Sequence, residues 1–139
     1  MYFLDTNICA YFMSRKYPAV TAQFRAHDPQ DLAVSALVAG ELAYGVALST
    51  QVESNRKNLE AFLSLLRVVP WDDQAKWHFG EQKARLKKLG TQIGEMDLLI
   101  GCQALALGAV MVTNNVREFE RIEGLQVENW TQAAPADLF

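Results

Sequence analysis

A chain of 139 residues, half of them hydrophobic and 21% charged, is long enough to close one core and is expected to form a single domain, 1–139. Its net charge of −3 excludes broad electrostatic attraction to nucleic acid and leaves only local patches open. No stretch reaches the roughly 18 uninterrupted apolar residues of a membrane span, and the N-terminus lacks a basic leader and carries Asp5 inside its apolar run, so no signal peptide is expected and the expected location is cytoplasmic.

Tyr2-Phe3-Leu4 reads as a short strand ending at Asp5-Thr6-Asn7, and Ile8–Met13 begins a helix. Arg15-Lys16-Tyr17-Pro18 breaks that helix, and Ala19–Ala26 resumes one with Val20 and Phe24 four residues apart. After a loop at 27–31 comes a small strand, Leu32–Val34. Ser35 is placed to cap the helix Ala36–Leu48, where Leu37, Glu41, Tyr44 and Leu48 share one stripe and put Glu41 among apolar neighbours. Asn55–Leu66 is amphipathic, Val68-Val69-Pro70 reads as a third strand, and Asp72–Leu89 as a long helix closed by Gly90.

That helix holds the one dense positive cluster, Lys83, Arg85, Lys87 and Lys88. Such a run is more often a solvated helix face; the sharper reading is a phosphate-backbone contact. A helix starting near Asp97 then runs to Gly108, and Ala109–Val112 resembles a buried parallel strand with Thr113-Asn114-Asn115 at its carboxyl end. A helical turn at Val116–Phe119, an edge strand at Leu125–Val127 and a loosely held tail, 131–139, complete the chain. This alternation predicts an α/β fold, a mostly parallel central sheet of four to five strands sandwiched between helices. In such sheets ligands bind at the carboxyl ends of the strands.

Three core-like segments carry one carboxylate each: Asp5 in 1–13, Glu41 in 32–48 and Asp97 in 96–112. An isolated buried carboxylate is costly unless it is paired or bound to metal, and none of these segments supplies a Lys, Arg or His. The expectation is that the three converge at one rim of the sheet on a divalent cation. Oxygen-only ligands suit Mg²⁺ or Mn²⁺, and the matching chemistry is phosphodiester hydrolysis, which needs no catalytic histidine. His27 and His78 lie in ordinary loop and helix settings, and Cys9 and Cys102 lack metal-ligand spacing and read as buried reduced thiols.

The stretches FLDTNICAYF, SALVAGELAYGV, IGEMDLLIGCQAL and VTNNVREFERIEGLQVENW, in that order and spacing, resemble the VapC toxins, PIN-domain ribonucleases of type II toxin–antitoxin systems. The resemblance covers nearly the whole chain and implies a PIN-like sandwich, Mg²⁺- or Mn²⁺-dependent endoribonuclease activity on structured RNA such as tRNA, and inhibition by a small cognate antitoxin. It also implies a homodimeric toxin, a hetero-oligomer with the antitoxin, and promoter DNA bound only through the antitoxin. The family's metal-binding acids map to Asp5, Glu41 and Asp97. Its fourth acidic position reads Asn115 here, which weakens any second metal position and gives Glu118 a compensating role. Thr6, Asn7 and Thr113 fall beside these ligands. The expected roles are Asp5 and Asp97 on the principal ion, Glu41 on the ion or the attacking water, and Asn115 on a water or the scissile phosphate.

The residues leave two rival readings open. An aspartate-based phosphatase wants a second acid two residues after its nucleophile, whereas Asp5 is followed by Thr6 and Asn7. A non-catalytic partner-binding regulator would carry the acids as vestiges.

Overall fold

The short apolar runs become the strands of one sheet: β1 (Tyr2–Leu4), β2 (Leu32–Ser35), β3 (Arg67–Val69), β4 (Val110–Val112) and β5 (Val127–Glu128). The structure is a computed structural model that describes residues 1–132, so most of the expected tail, 133–139, lies outside the described residues. The strand order is β3-β2-β1-β4-β5, and every pairing is parallel. Among the described residues seven α-helices connect and cover the strands: α1 (Thr6–Ser14), α2 (Pro18–Ala26), α3 (Ala36–Leu48), α4 (Val52–Leu63), α5 (Lys76–Leu89), α6 (Glu95–Leu107) and α7 (Val116–Phe119).

Successive strand residues point to opposite faces, yet Phe3 and Leu4, Ala33 and Val34, and Met111 and Val112 are all fully buried. Both faces of the central strands are therefore covered, which is why these runs are continuously apolar instead of alternating. Three layers result, as the alternation of elements predicts. Gly90 and Gly108 end α5 and α6 at φ 70° and 65°, the left-handed cap that a side chain would strain.

The order of the strands decides where a site can form. From β1 the chain winds outward through β2 to β3, then crosses to β4 on the other side of β1 and continues to β5. The winding reverses between β1 and β4, and loops leaving their carboxyl ends in opposite directions open a crevice there. Asp5 follows β1 directly, and its N–H donates to Val112 O at 2.9 Å, which pins it against the end of β4.

Several sequence readings shift. The stripe Leu37–Glu41–Tyr44–Leu48 is not the buried face of α3: Tyr44 and Leu48 are 66% and 68% exposed, while Val38 and Leu42 enter the core. With apolar residues around most of its circumference, α3 offers several equivalent stripes, and only packing on the sheet selects one. Glu41 consequently sits half-buried at the margin of the core. The helix expected at 55–66 is Val52–Leu63, the long one expected from Asp72 starts as a 3₁₀ turn at Asp73–Ala75, and the edge strand lies at Val127–Glu128. Trp130, just beyond that strand, is 1% exposed and stacks on His27 with ring centroids 5.0 Å apart, so the end of the described chain closes the core.

Candidate active site

Asp5 is buried at 6% exposure and does two jobs at once. Its Oδ1 accepts the Thr6 N–H at 2.8 Å and so caps α1, as a strand-to-helix aspartate does. Its Oδ2 accepts the Thr113 hydroxyl at 2.7 Å from the end of β4. Thr6 in turn donates its hydroxyl to Glu41 Oε1 at 2.5 Å, reaching across to the second turn of α3. On the other flank the Asn115 N–H donates to Thr113 Oγ1 at 2.9 Å, and its Nδ2 donates to both Asp97 Oδ2 and Glu118 Oε2 at 3.2 Å. One unbroken path of hydrogen bonds thus runs from Glu41 through Thr6, Asp5, Thr113 and Asn115 to Asp97 and Glu118.

The expected gathering of Asp5, Glu41 and Asp97 is therefore a linked network. It is not a closed cage: among the described residues no three acid, histidine or cysteine side chains stand in the arrangement of a preformed metal site. Hydroxyl and amide groups space the carboxylates, which limits their mutual repulsion. That repulsion is still visible. Burial, a hydrogen bond with Glu118 and the charges of Asp5, Glu118 and Glu41 together push the Asp97 pKa up to about 7. Burial also raises Asp5, opposed by the hydrogen bonds from Thr113 and Thr6 and reinforced by the Glu41 charge.

No cation among the described residues relieves this. The ion pairs among the described residues are Lys76–Asp73, Lys83–Glu95 and Arg85–Glu123, none of which involves the four acids. An all-oxygen set of clustered carboxylates with no Lys or Arg partner fits a hard divalent cation in donor chemistry and in charge. The thiols offer no rival nucleophile, because burial pushes both Cys9 and Cys102 above the ordinary thiol range.

Of the remaining expected residues, Asn7 is exposed, and no side-chain hydrogen bond ties it to the network among the described residues. Glu118, inferred only as a substitute for the missing fourth acid, touches Asn115 directly and perturbs Asp97. The basic cluster divides. Lys83 pairs with Glu95 at 2.6 Å, and Arg85 is engaged by Gln82, Glu123 and the Arg121 carbonyl, so it braces α5 against the segment after α7. Lys87 and Lys88 are exposed. Sequence reading missed Asn114 and Tyr11: the Asn114 Nδ2 donates to the Tyr11 hydroxyl at 3.2 Å, joining α1 to the loop that carries Asn115. The TNN string was the only available signal for this. Beside Thr6 and Glu41 a cleft of about 540 Å³ opens between α1, α3 and α4, walled by Met13, Leu42, Val46 and Leu59.

The sequence matches the family model for the PIN domain over residues 2–125. This chain belongs to the PIN-domain family. Within it, the PIN domain described here is 37% identical to Ribonuclease VapC2 of Rickettsia felis over 131 residues, which is 94% of this chain and 98% of that relative. It is also 37% identical to the tRNA(fMet)-specific endonuclease VapC of Salmonella typhimurium over 129 residues, covering 93% of this chain and 97% of that one. The structure of VapBC2 from Rickettsia felis bound to a promoter DNA fragment superimposes with a TM-score of 0.86 at 37% identity, over 93% of this chain and 98% of that chain. Asp5 thus sits at the carboxyl end of β1 in a PIN fold, with Glu41 linked to it through Thr6 and Asp97 through Thr113 and Asn115.

Proposed function

We propose that this PIN domain is a VapC-type toxin, an endoribonuclease that hydrolyses phosphodiester bonds with a divalent cation, Mg²⁺ or Mn²⁺, held by Asp5, Asp97 and Glu41. The observation that carries the reading is the hydrogen-bonded path from Glu41 to Asp97 and Glu118, with Asp5 at its centre and no Lys or Arg in it. A divalent cation there supplies positive charge for the phosphodiester and makes water easier to deprotonate at neutral pH.

The protein's own groups supply the positioning. The Thr6 N–H and the Thr113 hydroxyl fix both Asp5 oxygens. The Thr6 hydroxyl holds one Glu41 oxygen and leaves the other free to orient the attacking water and accept its proton. Asn115 keeps Asp97 and Glu118 in register and can turn its amide toward a non-bridging phosphate oxygen. Glu118 takes the place of the family's fourth acid. The aspartyl-phosphatase alternative gains nothing, because position 7 is an exposed asparagine. A vestigial site would have no reason to keep four acids and three positioning side chains mutually bonded.

We infer a tRNA or another structured RNA as substrate from the relative named a tRNA(fMet)-specific endonuclease. An antitoxin is the inferred protein partner, in line with the VapBC complex on promoter DNA. The apolar cleft beside Thr6 and Glu41 suits an antitoxin segment, which would reach the acids and block them. Exposed Tyr44, Leu48 and Trp77 offer apolar surface for a homodimer. A cytosolic setting suits the two free thiols.

Purified protein free of antitoxin is incubated with total cellular RNA, with and without Mg²⁺ or Mn²⁺, and the new RNA ends are mapped. Discrete metal-dependent ends, absent with Asp5→Asn and after chelation, are expected. Ends that persist in chelator or in the variant would overturn the reading.

A further inference from the structure

An acidic crevice repels RNA, so a ribonuclease needs cations on its rim, and the cluster expected to supply them is partly engaged elsewhere: Lys83 and Arg85 are both ion-paired. A different cation lies against a tyrosine that is hydrogen-bonded to the loop carrying Asn115. At the far end of α1 the Lys16 Nζ lies 5.3 Å from the Tyr11 ring centroid and 5.6 Å from that of Tyr17. The two rings meet edge-on at 4.7 Å, both half-buried, while Lys16 is exposed. Among the described residues Lys16 has no carboxylate partner.

This cluster is wired to the acids. The Tyr11 hydroxyl accepts a hydrogen bond from Asn114, whose neighbour Asn115 bonds Asp97 and Glu118. Tyr11 lies six residues beyond Asp5 along α1, a rise of about 9 Å, so a strand with its scissile phosphate at Asp5 would have a nearby nucleotide at Tyr11. The turn that presents Lys16 is unusual as well. Arg15 adopts φ 56°, the only non-glycine residue at positive φ among the described residues, where glycine would be unstrained. The chain keeps a second cation at this corner in spite of the strain.

We propose that Tyr11, Lys16 and Tyr17 form a single-stranded RNA subsite next to the acidic crevice. An ammonium beside aromatic faces is what sequence-tolerant single-strand binding uses, a phosphate contact plus a stacked base. In the free protein the ammonium rests on the rings. On binding it turns to a phosphate flanking the cut, and the ring it leaves takes the base. The proposal rests on the ribonuclease reading above.

The test uses the full chain with Mn²⁺ and total tRNA, comparing the parent with Lys16→Ala, Lys16→Arg, Tyr17→Leu and, as a charge control on α2, Arg25→Ala. Lys16→Ala and Tyr17→Leu are expected to raise KM at least about five-fold with kcat nearly unchanged, since base stacking alone contributes on that scale. Lys16→Arg should restore KM, Arg25→Ala should match the parent, and Lys16→Ala should flatten the dependence of log KM on log salt by roughly 0.7. Melting temperatures near the parent's would show that the corner still folds. A parental KM and salt slope in Lys16→Ala and Tyr17→Leu overturns the subsite. So does a variant with unchanged RNA kinetics that escapes its co-expressed antitoxin, which would assign the corner to the protein partner. If the parent itself cleaves no RNA with any divalent ion, the ribonuclease reading fails first and takes the subsite with it.

Discussion

Thr6 donates its hydroxyl to Glu41 Oε1 at 2.5 Å, across 35 residues of chain, and this bond is what ties Glu41 to the hydrogen-bond network around Asp5. α3 leaves Glu41 at the core margin with water within reach, so its direction depends on Thr6. Thr6→Val keeps the shape and removes the donor. RNA cleavage should fall roughly 10–100-fold, the usual cost of losing a group that orients a metal ligand, while Thr6→Ser retains most activity. Cleavage rates in Mn²⁺ measure both, and a fully active Thr6→Val protein would release Glu41 from the mechanism.

Asp5→Asn separates catalysis from folding. The amide oxygen can still cap α1, and loss of a buried charge offsets the acceptor taken from the Thr113 hydroxyl, so the variant should melt close to the parent. Cleavage and growth inhibition should both be lost. Thermal melting followed by circular dichroism, set beside an RNA cleavage assay, checks the two halves independently.

The crowding of acids sets a pH dependence. Folded Asp97 holds its proton up to about pH 7, whereas an ordinary aspartate releases it near 3.8. Between those values the folded state binds more protons than the unfolded chain, so the stability of the metal-free protein falls as pH rises through this window. The raised pKa of Asp5 acts in the same direction. Melting scans in chelator should show Tm dropping from mildly acid to neutral pH, and Mn²⁺ should recover it at the neutral end. Calorimetric Mn²⁺ affinity should weaken on acidification as protons compete for the carboxylates; an affinity flat with pH would count against these ligands.

α6 and α7 meet at Gly101, where an added Cβ would lie 2.4 Å from Ile122 Cδ1 and 3.2 Å from Phe119 Cδ1. Both neighbours are buried and cannot swing into solvent. Gly101→Ala should therefore destabilise by about 1–3 kcal/mol, visible as a Tm lowered by several degrees. Because α7 carries Glu118 and follows Asn115 while α6 carries Asp97, cleavage should fall even at temperatures where the variant stays folded. A variant that melts like the parent would show that the contact relaxes freely.

Much of this was legible from the residues in order. The short apolar runs at 2–4, 32–34 and 109–112 read as strands, the last of them as a buried parallel one, and β1, β2 and β4 form there; Gly90 and Gly108 read as helix ends, and both cap helices at positive φ. The lone acids at 5, 41 and 97 marked a candidate site because a carboxylate in an apolar segment has no cheap local solution. These are local rules, satisfied by a residue and its near neighbours. Which stripe of α3 is buried, which hydroxyl holds Glu41, and whether Arg85 is free or braced are decided by what arrives from elsewhere in the chain. Hydrogen bonds such as Thr6 to Glu41 and Thr113 to Asp5 join residues 35 and 108 positions apart, and no periodicity encodes a partner at that range. The tertiary structure alone could show that the acids meet through threonine and asparagine, because only the reversal of strand order between β1 and β4 brings those side chains to one crevice.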